Sequence, residues 1–236
     1  MSIFTRKLKI RDCDVTPNRR LRPSCLFSML QEIAIDHSEE LGAGRSKTYD
    51  RGFLWVLARQ RVELARLPEY GECVTLESWP GDTMHMLFPR YYRMLDGEGN
   101  TILSASSIWT LIDARKRTLI SPQKEGILVS GEKTGYEIAL PSGIRKQSAG
   151  ITRSFTVPYS YTDLNGHMNN IRYLDEAENM IPEVASARRV CEIAVEYAHE
   201  ILLGQSMELS LHSDGNTFTF SGDGEKHYFS LQMRYE

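Results

Sequence analysis

The chain has no surplus of charge of one sign, no clustered cysteine and no long apolar run, and each absence disfavours a class of function. Lys plus Arg number 28 and Asp plus Glu 31 among 236 residues, a net charge of −3. That argues against a nucleic-acid partner held by bulk positive charge, while leaving room for a local basic patch facing an acidic one. The four cysteines, Cys13, Cys25, Cys73 and Cys191, are scattered, with no C-x-x-C. Neither a disulfide scaffold nor a zinc centre is expected, and no metal or cofactor is called for. No apolar run approaches the ~18 residues of a membrane span. The opening MSIFTRKLKIRDCDV alternates and carries charge where a signal peptide would be apolar. The expectation is a reduced, cytoplasmic protein with no membrane span. With 41% apolar residues the chain can bury a substantial core, as one large domain or two small ones.

What is present is a repeat. VELARLPEYGECVTLES (Val62 to Ser78) aligns without gaps on VEYAHEILLGQSMELSL (Val195 to Leu211) at an offset of 133. Both alternate, reach a glycine and alternate again, the pattern of strand, turn and strand. Each copy follows a helix-like run. The first is PSCLFSMLQEIAIDHSEELG (Pro23 to Gly42), with Leu26, Met29, Leu30, Ile33, Ala34 and Leu41 on one stripe, proline at its start and glycine at its stop. The second is HMNNIRYLDEAENMI, starting within a residue or two of His167. The helices match at an offset of 144, so the first half carries a longer helix-to-strand connection, placed at GAGRSKTYDRGF as a loop. Asp96–Asn100 and Asp214–Asn216 read as hairpin turns between strands. The class is therefore α+β: in each half one helix against an antiparallel sheet. The halves are drawn at 1–120 and 151–236, joined by a glycine- and proline-rich linker at 121–150.

The chemistry concentrates in YTDLNGHMNNIRYLDEAEN, Tyr161 to Asn179. Asp163, Asn165 and His167 alternate, which in an extended segment points them to one side. Next to a helix start, whose first amides lack partners, an acid, an amide and an imidazole suit the binding of a carbonyl oxygen as it gains charge. Asp-x-Asn before a helix equally serves as a cap and turn. These residues alone leave both readings open.

DLNGHMNNIRYLDEAEN resembles the D-x-N-x-H-x-N-N-x-x-Y motif of the acyl-ACP thioesterases of plants and bacteria. GFLWVLARQRVELARLPEYGECVTLESWP resembles that family's N-terminal block, and NRRLRPSCLFSMLQEIAIDHSEELG its first helix. The resemblance spans about Phe4 to Gly204. It implies two tandem hotdog units, each a long helix wrapped by a curved antiparallel sheet. It also implies hydrolysis of the thioester between a fatty acyl chain and the phosphopantetheine arm of acyl carrier protein. Family catalytic positions carry over to Asp163, Asn165 and His167, and, through VEYAHEI, to Glu200. Plant members place a cysteine after that glutamate; here the position is Ile201, which favours a carboxylate mechanism. In this family the first unit holds the acyl chain, making Trp55, Met29, Leu30 and Ile33 candidate tunnel residues. Arg19, Arg20 and Arg22, with Arg188 and Arg189, are candidates to meet the acidic carrier. The charge run in DARKRTLIS needs no partner. The alternatives are a coenzyme A thioesterase or dehydratase on the same fold and a non-catalytic acyl-thioester binding module. A monomer or a homodimer fits two units in one chain.

Overall fold

The computed structural model describes residues 3–148 and 150–236. Its strands are β1 (Phe4–Lys9), β2 (Phe53–Leu64), β3 (Cys73–Pro80), β4 (Phe88–Leu95) and β5 (Thr101–Asp113) in the first half. β6 (Ile151–Thr156), β7 (Val190–Tyr197), β8 (Ser206–Asp214), β9 (Thr217–Asp223) and β10 (His227–Tyr235) form the second. All pair antiparallel, in the order β1-β3-β4-β5-β2-β7-β10-β9-β8-β6. The two half-sheets are thus one continuous sheet, joined where β2 meets β7.

The repeat seen in the sequence is the symmetry of that joint. An offset of 133 carries Arg61 onto its own β7 partner, Ala194, and exchanges the flanking pairs Gln60–Val195 and Val62–Ile193. Gly71 and Gly204 both turn the chain at positive φ, +83° and +76°, where a side chain would be strained.

α1 (Pro23–Glu40) is the long helix of the first half, with Pro23 in its first turn. Leu26, Phe27, Leu30 and Ile33 are buried in a core shared with Leu174, Val195 and Phe229 of the second half. The loop expected after α1 contains α2 (Arg45–Thr48) and a turn of 3-10 helix, Tyr49–Arg51. α3 (Pro122–Glu125) follows β5. The second half's helix is broken into α4 (Arg172–Met180) and α5 (Pro182–Ala187). Pro182 has no N–H and its ring clashes with the preceding turn, so the helix cannot run through it.

From 127 to 148 the chain has neither helix nor strand; Ile127 and Val129 pack with Phe88, Leu111 and Trp55, and the chain then runs on across both halves. Tyr136 covers Trp79 and Arg93. The Ala139 carbonyl accepts from Ser106, and the Ile144 amide donates to Glu196 in the other half.

Candidate active site

The DLNGH stretch is a tight hairpin loop, not an extended strand. Thr162 bridges Met168, and the Asp163 amide donates to the His167 carbonyl at 2.9 Å. Gly166 sits at φ +78° and donates to the Asp163 carbonyl. The Asp163 carboxylate closes the loop. Oδ1 accepts from the Asn165 amide at 2.8 Å and the His167 amide at 3.4 Å, and Oδ2 from the Asn165 side chain at 3.3 Å. The cap-and-turn reading therefore describes this carboxylate's bonds, and the alternation of Asp163, Asn165 and His167 is the spacing of a loop.

The helix start also differs from expectation. α4 begins at Arg172, five residues beyond His167. The Ile171 amide donates to the Asn169 side chain and the Arg172 amide to the Asn169 carbonyl. Those donors are already engaged, so they are not free to polarise a carbonyl beside His167.

The same loop occurs in the first half. Val15 bridges Leu21 as Thr162 bridges Met168, and Arg20 bridges Glu69 as His167 bridges Leu202. Arg19, at φ +62°, stands where Gly166 stands. The equivalents of Asp163, Asn165 and His167 are thus Thr16, Asn18 and Arg20, and only the asparagine is common to both. One of two symmetric positions carries the acid and the imidazole.

Glu200 lies just past the end of β7, exposed, in the connection to β8. His167 Nε2 is 3.2 Å from Glu200 Oε2. The other carboxylate oxygen is ion-paired with Arg117. Arg117 comes from the turn after β5 in the first half and holds φ at +55°, unusual for a residue with a side chain. The charge run of DARKRTLIS therefore does have a partner, contrary to expectation. Nothing in its own sequence marks Arg117, because the pairing joins residues 83 positions apart across the two halves. Burial pushes the His167 imidazole below its ordinary value; Asp163 opposes this and Arg117 adds to it. The ring is accordingly neutral at neutral pH, and a neutral imidazole can donate from Nε2 to the glutamate.

These groups open into a cavity of about 910 Å³ that draws on both halves. Asp163, Asn165, His167, Glu200 and Arg117 line it, as do Asn169, Asn170 and Tyr173, which belong to the same sequence motif but were given no role from the sequence. Its first-half wall includes Trp55, Phe88 and Trp109. Trp55 is held there by an Nε1 hydrogen bond to the Ala43 carbonyl at 3.0 Å and by an edge contact with Phe88. Met29, Leu30 and Ile33 do not line the cavity, which corrects the expectation. Leu30 and Ile33 are fully buried in the shared core and Met29 packs against it. The helix presents Gln31, Ala34, Ile35 and Ser38 to the cavity instead, a stripe rotated from the core-facing one. Arg19, Arg20, Arg22, Arg188 and Arg189 also lie outside the lining. Arg188 donates to Asn216 and Arg189 pairs with Glu236.

Residues 1–127 match the model of the acyl-ACP thioesterase N-terminal domain, and residues 144–232 that of the C-terminal domain. A palmitoyl-acyl carrier protein thioesterase of Cuphea hookeriana chloroplasts is 25% identical over 217 residues, covering 84% of this chain and 52% of that protein. The chain thus spans about half the length of the curated relatives it matches. Two solved structures superpose along the whole chain. An acyl-ACP thioesterase from Bacteroides thetaiotaomicron gives a TM-score of 0.88 at 24% identity, covering 99% of this chain and 98% of that one. A 12:0-ACP thioesterase from Umbellularia californica gives 0.83 at 20% identity, covering 99% and 97%.

Proposed function

The chain belongs to the acyl-ACP thioesterase family, with its double hotdog fold, and we propose that it hydrolyses the thioester of an acyl chain carried on acyl carrier protein. The observation that carries this reading is the Arg117–Glu200–His167 chain at one part of a large cavity with aromatic walls. The division into units at 1–120 and 151–236 around a linker at 121–150 is part of the same proposal.

The two carboxylates differ in what they already hold. Asp163 is occupied by the amides of its own loop and by Asn165. Glu200 is exposed to the cavity, steadied by Arg117 on one oxygen and His167 on the other. On this geometry Glu200 takes the proton of a water as that water attacks the thioester carbonyl. The C–S bond then breaks, and the carrier's thiolate leaves and is protonated by solvent. His167 orients Glu200, and Asp163 with Asn165 fixes the loop that presents His167. A thiolate leaves without a strong general acid, so positioning supplies most of the acceleration. With Ile201 after Glu200 and the four cysteines elsewhere, no thiol nucleophile enters the scheme.

The test is thiol release from acyl-ACP and acyl-CoA of varied chain length by wild type, Asp163→Asn and Glu200→Gln. Release from acyl-ACP, lost by at least about a hundredfold in Glu200→Gln, supports the scheme. Near-normal turnover in both variants removes it. Release from the coenzyme A thioester alone would reassign the carrier. An enoyl absorbance change from a hydroxyacyl substrate, without thiol, would make the protein a dehydratase. Saturable acyl-ACP binding without either product would make it a binding module.

A further inference from the structure

The cavity wall contains a buried cation that hydrolysis does not use. Arg90 on β4 is 6% exposed and lines the cavity. Nη1 donates to Ser78 Oγ and His37 Nδ1, each at 3.1 Å, and Nη2 donates to Ser38 Oγ at 2.9 Å. All three acceptors are neutral. Burial and the adjacent guanidinium push His37 down to about 4, which leaves Nδ1 free to accept at neutral pH. Among the described residues no carboxylate pairs with Arg90, and burial lowers its own affinity for a proton. A guanidinium nonetheless stays charged in proteins and has five N–H donors, of which these bonds use three. Burying a charge without a counter-ion is costly, so such a group is seldom neutral filler.

The other half shows that the fold does not demand it. Arg90 pairs with Pro80 and Ser78 with Tyr92. The 133-residue repeat maps Pro80 to Ser213 and Ser78 to Leu211, whose partners are Phe218 and Phe220. Phe218 thus stands in the place of Arg90 and Leu211 in that of Ser78, and both are buried in the core. One half fills these positions with apolar side chains; the half that faces the cavity fills them with a cation and a hydroxyl.

We propose that Arg90, beside Ser38 at the cavity wall and held from behind by His37 and Ser78, is a polar floor of the acyl cavity and sets the longest unsubstituted chain the site accepts. The proposal rests on the acyl-thioester reading above. β5 and β2 separate β4 from β7, so Arg90 stands three strand spacings, about 14 Å, from the strand that leads to Glu200. Trp55, Phe88 and Trp109 line the same cavity. A methylene chain is well received against those rings. Pressed onto Arg90, it covers the remaining N–H donors and offers no acceptor, which is penalised. An oxygen at the chain end accepts from them instead. The floor therefore discriminates by chemistry as well as by depth.

The experiment uses wild-type protein and thiol release from unbranched acyl-ACPs of increasing length, each beside its ω-hydroxy counterpart. Beyond some length, kcat/KM for the plain chain is expected to fall about tenfold per added step, as for overfilled enzyme pockets. At that length the ω-hydroxyl should recover most of the loss. Arg90→Leu should move the limit to longer chains and abolish the recovery. Equal or slower hydrolysis of the hydroxylated chain at every length overturns the proposal, and so does an unchanged limit in a folded Arg90→Leu. If Arg90→Leu does not fold, the wild-type comparison decides alone. If no thioester is cleaved, the hydrolase reading fails separately. Tryptophan fluorescence titrations with fatty acids and ω-hydroxy fatty acids then read the floor: tighter binding of the hydroxylated acid at the limiting length supports it, and weaker or equal binding overturns it.

Discussion

Arg117 of the first half and Glu200 of the second are ion-paired across the molecule, and His167 meets the same glutamate from the other side. The pair makes the site a property of both halves together. Replacing Arg117 with Gln removes the positive charge and frees Glu200 to rotate. Steady-state kinetics should show kcat lower by about tenfold to a hundredfold, the equivalent of about 1–3 kcal/mol, with a smaller change in KM. The folding midpoint should move little, because both side chains are more than a third exposed and such pairs add little stability. A large loss of stability with unchanged kcat would assign the pair to folding instead.

His37 gives the protein a pH-dependent stability term. Its value is depressed to about 4, from burial first and Arg90 second. A group depressed in the folded state binds protons more readily unfolded. A histidine's contribution is therefore complete above its unfolded value, about 6.5, and is lost as pH falls from there toward about 4. The loss is bounded at about 1.4 kcal/mol per pH unit. Urea unfolding of wild type and His37→Gln between pH 7 and pH 4 (about the range of these values) should show the steeper decline in wild type. Parallel curves would refute this.

Gly166 tests the loop. A methyl group there meets nothing within 4 Å, so crowding plays no part. The φ of +78° remains unfavourable for alanine, at about 1 kcal/mol. Gly166→Ala should unfold at a slightly lower denaturant concentration and lose turnover as the loop relaxes and His167 shifts from Glu200. Gly166→Asn, which tolerates positive φ better, should recover part of both. Arg19 shows that the equivalent loop can form with a side chain at this position.

Leu30 and Trp55 should separate core from cavity. Leu30 is fully buried among Phe27, Ile33 and the second half's residues. Leu30→Ala should cost about 2–5 kcal/mol, read by denaturant unfolding, with the chain-length profile unchanged. Trp55→Ala should instead alter that profile. If Leu30→Ala shifted chain preference at little cost in stability, the assignment of Leu30 to the core would be wrong.

How much of this was legible beforehand varies by element. α1 was readable from its apolar stripe and its proline and glycine ends, because those signals are local and act within a few residues. The strand repeat was readable because one offset preserved alternation and a glycine at the turn, and the same offset is the symmetry of the β2–β7 joint. The loop from Asp163 to His167 was legible in residue identity but not in conformation. Asp163, Asn165 and His167 line one cavity with Glu200, yet alternation alone does not distinguish a strand from a five-residue hairpin.

The sequence by itself determined the two-fold plan, the long first helix and which half kept an acid and an imidazole. Tertiary structure decided what depends on distance in space. The rotation of α1 chose Ile35 and Ser38 over Leu30 and Ile33 for the cavity. The joining of the half-sheets brought Arg117 to Glu200, and the packing of α1 on β3 and β4 buried Arg90 against His37 and Ser38. Local patterns record which face of an element is apolar, whereas the partner of a charge is set by which elements meet.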